Sequence, residues 1–419
     1  MTTRARDVYL LLLASFEPAV CRFIGGVPTI PRARVDPRAP RSMVWVTPAL
    51  TGASPPGRGG CAAAVVGDMC LFIGGADRSP RAFDDLWILR LSPDGTGRWV
   101  RKSTTTRGGA RLPPRSGASA TAVGRKVYVF GGQCPERGTC FNDVVVLDCD
   151  SWEWSRLPVS GASPPPRNAH VACSANNGRL LVIHGGSSPE EGPMGDVHVL
   201  DLEEGAERWV RPTVRGQAPE PREMHAAAAI PAGGGDADEL LILGGRGRSG
   251  VLRDIAVLNL DDMAWTRRGD LGRAVCAHTA VPWRVQSARA AGAAEEADVA
   301  NAALVFGGFD GAAVRPNELF AVEASTLATI TLHPGDGPGG GRGKQTGEGS
   351  DRGRAPEGRF AHACAAVPRT ATTPATAVIF AGVTPGADLA DAAAWSEESG
   401  EAPEVDMDGP APAPASDLD

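Results

Sequence analysis

A short apolar segment ending in two small residues recurs along this chain, and that recurrence constrains the fold more than any other feature. CLFIGG ends at Gly75, VYVFGG at Gly132, LVIHGG at Gly186, LLILGG at Gly245 and ALVFGG at Gly308. A degenerate copy, AVIFAG, ends at Gly382. Successive copies lie 54 to 74 residues apart. Repetition at such a period signals an array or a propeller rather than an ordinary mixed domain. Each segment is a short apolar run followed by two small residues, the pattern of a strand and a turn.

Other features travel with the glycines. Ahead of each copy stands a turn and an arginine: Arg58, Arg115, Arg167, Arg222, Arg273 and Arg359. His170, His225 and His362 follow three residues after their arginines. A small Ala/Val/Cys-rich run comes next, suited to a strand with little room on either face. Behind the glycines a variable loop leads to a third strand at residues 84–91, 142–149, 195–202, 253–260 and 317–324. Trp99, Trp154, Trp209 and Trp265 then open a fourth. Such a four-stranded unit cannot bury both its faces alone, but units repeated radially pack sheet against sheet. The expected fold is all-β, a six-bladed β-propeller of four-stranded blades.

Ring closure is also readable. Trp45 lies 13 residues before Arg58, the interval that separates Trp154 from Arg167 and Trp209 from Arg222. Residues 43–49 are therefore expected to supply the outermost strand of the last blade. Two units depart from the pattern. Blade five offers TLATITL in place of its Trp strand and Cys276 where the other units place His, and blade six is Ala-rich where its third strand should be. The expected domain map is an N-terminal extension at 1–42, the propeller at 43–385, and an acidic disordered tail at 386–419. Insertions interrupt the propeller at 287–301 and 335–358. The tail holds ten Asp or Glu and no Lys or Arg, so the net charge of −7 hides a slightly basic body. That balance does not indicate a nucleic-acid binder.

The Gly-Gly pairs after an apolar strand, the downstream Trp, and the Pro-rich turn with Arg and His together resemble the kelch repeat. The resemblance runs from about residue 43 to 385 and implies a kelch-type propeller. In such propellers an N-terminal strand commonly completes the last blade, and partners usually dock on the face made by the loops between second and third strands and those leading into the first strand. Kelch-like copper oxidases need two Tyr and two His around the metal. Here Tyr9 lies outside the repeats and Tyr128 sits within a strand, so that site cannot be built. The Glu, Asp and His signature of the iron-binding kelch class is absent too. The recurrent His and Arg occupy equivalent places in each repeat, which assigns them to packing and to tying loop carbonyls or acids between blades.

The reading is a non-catalytic protein-interaction scaffold with no metal and no cofactor. Its docking face is drawn from Arg78, Arg81, Arg137, Arg246, Arg248, Arg253 and Arg315, with Glu190 and Glu191 reversing the sign in blade three. Arg presents a planar fork of donors to carboxylate or phosphate. The expected partner is an acidic or phosphorylated protein segment, not nucleic acid or membrane. The alternatives are a substrate-recognition subunit of a ubiquitin ligase, and a kelch-type oxidase or sugar epimerase. Nine scattered cysteines without metal-ligand spacing fit a cytoplasmic or nuclear protein. Cys134 and Cys140 share one loop and would pair only in an oxidising compartment. VYLLLLASF at residues 8–16 faintly resembles a signal sequence but lacks a cleavage site.

Overall fold

The computed structural model describes residues 43–92, 96–109, 111–231, 238–286, 299–314, 317–333, 356–367, 376–384 and 387–397. These form six antiparallel sheets arranged in a ring. Blade one holds Ala62–Val66, Met69–Ile73, Leu86–Leu91 and Thr96–Arg101, in that order from the axis outward. Blades two to five repeat the order from Ser119–Val123, Val171–Ala175, Ala226–Pro231 and Thr279–Gln286. Blade six comprises Ala363–Val367, Thr376–Phe380, Ala392–Glu397 and Met43–Val46. Among the described residues the one helical turn is Pro135–Arg137.

The last blade is closed as the Trp spacing predicts. Met43 pairs with Glu397 and Trp45 with Trp395, so the start of the chain supplies the outermost strand. Its third strand corrects the expected boundary at 385. Ala392–Glu397 belongs to the propeller rather than to an acidic tail. The Ala-rich sequence is accommodated because two tryptophans fill this corner, with Trp45 and Trp395 rings 5.2 Å apart, edge to face. Residues 1–42 and 398–419 lie outside the described residues, as do 287–298 and 334–355 of the two insertions. The last three residues of the expected first insertion open strand Val299–Phe306.

The core is divided among the interfaces between blades. Leu71 and Ile88 of blade one meet Val127, Val129 and Val145 of blade two, and an equivalent apolar cluster fills each of the other five interfaces. Second strands therefore read as unbroken apolar runs, since both faces are covered: all five residues of Met69–Ile73 are buried. The recurrent Trp reaches backward across an interface to the residue before the glycines. Trp99 packs on Phe380 at 4.8 Å, Trp209 on Phe130 at 5.2 Å and Trp45 on Phe306 at 5.3 Å. Blade five has no such Trp, and Leu327 packs into its interface with blade four.

The expectation of four strands per blade needs one amendment. Ala49–Thr51 and Thr105–Thr106 add short parallel strands to the outer edges of blades one and two. Single bridges, Ser160 with Arg208 and Arg215 with Ala264, do the same in blades three and four. Each comes from the linker leading into that blade. It covers backbone groups that an outer strand would otherwise present to other chains.

Candidate functional site

The glycines, arginines and histidines that define the repeat converge at one end of the ring, where second strands end and first strands begin. Arg167 shows the pattern. Its guanidinium is fully buried and donates to both oxygens of Asp196, at 2.8 and 2.9 Å, and to the carbonyls of Gly185 and Pro165. Arg58 with Asp85, Arg115 with Asp143, Arg222 with Asp254 and Arg359 with Asp391 repeat the bidentate geometry. Both partners belong to one blade, so the side chain ties a blade together internally, not one blade to the next as the sequence implied. Burial alone would raise Asp85 and Asp196, but hydrogen bonds from Arg58 and Trp87, and from His198 and Arg167, hold them below the usual carboxylate range.

The backbone of the same arginine makes the link between blades. The N–H of Gly132 donates to the carbonyl of Arg167 at 2.8 Å, and Gly382 closes the ring onto Arg58 at 2.9 Å. This explains the first glycine of the pair. Gly131 has φ of +65°, and a Cβ there would lie 2.6 Å from the Arg167 carbonyl and 2.9 Å from the His170 ring. In blade six that place is taken by Ala381, also at positive φ, and the residue facing it in blade one is Cys61 rather than His. Loss of the imidazole removes one of the two groups that crowd the site.

Nearest the axis, six backbone hydrogen bonds form a closed circuit. Gly60 donates to Ala361, Ala361 to Ala277, Ala277 to Met224, Met224 to Ala169, Ala169 to Gly117, and Gly117 to Gly60, all at 2.7–2.9 Å. All six residues have φ between +52° and +65°. Four of them are not glycine, so the circuit retains a backbone that costs about 1–2 kcal/mol per residue for L side chains.

Blade five breaks the symmetry and corrects the alignment read from sequence. Val275, not Arg273, stands where the others bury arginine: Gly245 donates to its carbonyl at 2.8 Å. The equivalent of His170, His225 and His362 is therefore His278, and Cys276 sits two places earlier. Arg273 ion-pairs with Glu318 from a position 20% exposed, while the five other arginines are at 0–1%. The acid at the same place in each blade, one residue ahead of the third strand as Asp85, Asp143, Asp196, Glu318 and Asp391 and within the longer third strand of blade four as Asp254, is the signal that sequence reading passed over.

The histidines bridge blades. His170 meets the Ser119 hydroxyl at 2.9 Å, His225 meets His184 at 3.1 Å, and His362 meets the Thr279 hydroxyl at 2.7 Å. Burial pushes His170, His184 and His278 down to about 3, and His225 and His362 well below their ordinary value. All are neutral. Among the described residues, no three His, Cys, Asp or Glu are grouped to hold a metal ion. Burial raises the thiols of Cys61, Cys70, Cys276 and Cys364 to about 12, and Cys134 and Cys140 are both free.

The predicted docking arginines fall into distinct settings. Arg78 pairs with Asp388 at 3.1 Å and donates to the Thr384 carbonyl, clasping blade one to blade six. Arg246 pairs with buried Glu223, which also accepts from the Ser187 hydroxyl. Arg253 pairs with Asp270 at 2.8 Å. Arg81, Arg137 and Arg248 are exposed, and Arg315 lies outside the described residues. Arg248 is the most prominent. In blade four the second and third strands run on past a bulge as Asp238–Gly247 and Gly250–Asn259, and Arg248 and Ser249 form the tip. Beside this hairpin, Met224, Val251 and Val314 pack partly buried over Cys276, Phe309, Phe360 and Val383. The end of the ring around the axial circuit thus has a charged sector in blade four and an apolar sector over blades five and six.

A ring of six such blades, five with a buried arginine and five with the double-glycine turn, defines a kelch-type propeller. The profile of the KLHDC2/KLHL20/DRC7 Kelch-repeats domain matches residues 38–132 and 117–289, and the chain belongs to this family. Acyl-CoA-binding domain-containing protein 4 of Arabidopsis thaliana is 37% identical over 156 residues, 37% of this chain and 22% of that protein. Dynein regulatory complex subunit 7 of Chlamydomonas reinhardtii is 37% identical over 113 residues, 27% of this chain and 10% of that one. Host cell factor 1 of Homo sapiens is 30% identical over 276 residues, 57% of this chain and 13% of that protein. The chain thus spans less than a quarter of the length of each of these relatives.

Proposed function

We propose that this propeller is a non-catalytic protein-interaction module that docks a partner segment on its double-glycine face. One observation carries the reading. A symmetric backbone circuit holds the centre of that face, while the loops around it differ from blade to blade, with exposed charge at the tip of the blade-four hairpin and apolar side chains packed beside it. A fixed scaffold with variable loops is an arrangement suited to recognition. Membership of a kelch family supports the class, and one relative is named as a subunit of a regulatory complex.

The partner segment presents an acidic or phosphorylated residue to the exposed Arg137 and Arg248, and an apolar residue to Val251 and Val314. Arg78, Arg246 and Arg253 contribute less, because each is already paired with an acid. Exposed guanidiniums can be reversed without disturbing the fold, which gives a clean test. The full chain serves as bait in a native lysate beside an Arg137→Glu, Arg248→Glu variant and an Arg125→Glu control on the opposite face. A partner retained by wild type and control but lost by the double variant supports the reading. A partner lost only by the control refutes it.

A further inference from the structure

We propose that Ser249, at the tip of the blade-four hairpin, is a phosphorylation site, and that its modification releases the hairpin from a carboxylate latch. The tip reads Arg246-Gly247-Arg248-Ser249-Gly250, with Arg253 four residues beyond the serine. Residues 248–250 are exposed. Gly247 pairs with Gly250, so Ser249 projects at a two-residue turn clear of the sheet. A hydroxyl flanked by guanidiniums matches the acidic substrate cleft of an arginine-directed protein kinase, by the charge patterning through which kinases choose substrates. In the reaction the Ser249 oxygen attacks the γ-phosphorus of a nucleoside triphosphate. The bond to the bridging oxygen breaks, the nucleoside diphosphate leaves with that electron pair, and the hydroxyl proton passes to the kinase base.

The latch is what makes the modification consequential. Glu220, in the turn leading into blade four, accepts from the Ser249 hydroxyl at 2.7 Å through one carboxylate oxygen and from the Ser249 N–H at 3.0 Å through the other. These two bonds are the main influences holding the Glu220 carboxyl below its ordinary range. A phosphoryl group removes the hydroxyl donor and sets close to two negative charges against that carboxylate. The bonded pair becomes a repelling one, and the freed phosphoryl group swings toward Arg248. The hairpin then changes both its net charge and its anchorage. This holds for the hairpin itself, whether or not a partner docks beside it.

The test uses the full chain, ATP and the catalytic subunit of cyclic-AMP-dependent protein kinase. Sites are mapped by mass spectrometry, and backbone exchange is followed by hydrogen–deuterium exchange. Phosphate on Ser249 is expected, with exchange of the Ser249 amide faster by about tenfold as its charge-assisted bond is lost. Ser249→Ala should take no phosphate at that peptide. Glu220→Gln should still be modified but show a smaller acceleration, since the repulsion is gone. Modification confined to other serines, such as Ser103 behind Arg101 and Lys102, would overturn the assignment of the site. Phosphate on Ser249 with unchanged amide exchange would overturn the latch.

Discussion

Five blades of this ring bury an arginine against an aspartate, and blade five replaces that arginine with Val275. Its guanidinium is not lost. It is supplied by Arg273, two residues earlier, and the acid lengthens from Asp to Glu at 318, with the guanidinium nearer solvent than the five buried ones. The comparison separates two jobs that coincide in the other blades. The carbonyl at this position is required everywhere, because the preceding blade's second glycine donates to it, and Val275 provides it as well as arginine does. The side chain is required only to hold one blade's own loops, and it can move. At this position the link between blades is thus made by backbone, and the link within a blade by side chain.

Acid should produce the largest effect. His170, His184, His225, His278 and His362 are neutral and buried, and their folded values lie below the unfolded one. The unfolded chain therefore binds protons that the folded ring refuses, so stability is intact above about pH 6.5 and falls as pH drops below it. Each histidine contributes a slope of up to about 1.4 kcal/mol per pH unit. Calorimetry should show Tm falling by about 10 °C or more between pH 7 and 5.5. His278→Cys, borrowing the residue of blade one, should reduce that slope by about a fifth. A flat Tm over this range would show that the histidines are solvated.

Arg167→Ala comes next. It leaves Asp196 with His198 alone, strands two carbonyls, and should cost about 3–5 kcal/mol in denaturant unfolding. Gly131→Ala forces a Cβ onto the Arg167 carbonyl at positive φ and should cost about 1–3 kcal/mol by the same measurement. Arg273→Ala should be smallest, at about 1 kcal/mol or less, because its pair is partly open to water. Equal costs for Arg167→Ala and Arg273→Ala would erase the distinction drawn between blade five and the rest.

Much of this was legible in the residues. The double glycines and the Trp spacing fixed the blade number and the closing strand, since both depend on short-range periodicity and on a recurring large side chain. Three features were not. The third strand of blade six is built on alanines, which carry little β-propensity, and its order depends on tryptophans far apart in sequence. The two-residue offset in blade five is hidden because an arginine is still present at almost the expected place. The docking arginines could not be sorted from sequence because their acids, Asp388, Glu223 and Asp270, lie 310, 23 and 17 residues away. Pairing with a distant acid is set by how loops meet, and only the closed ring reveals it.

The most direct test of the docking account is hydrogen–deuterium exchange on the full chain with and without its captured partner. The account predicts protection clustered on the double-glycine face, at residues 244–253 and 307–314, with the turns at 148–153 and 201–208 unchanged. Protection at those opposite turns, with the blade-four hairpin exchanging as before, would contradict it.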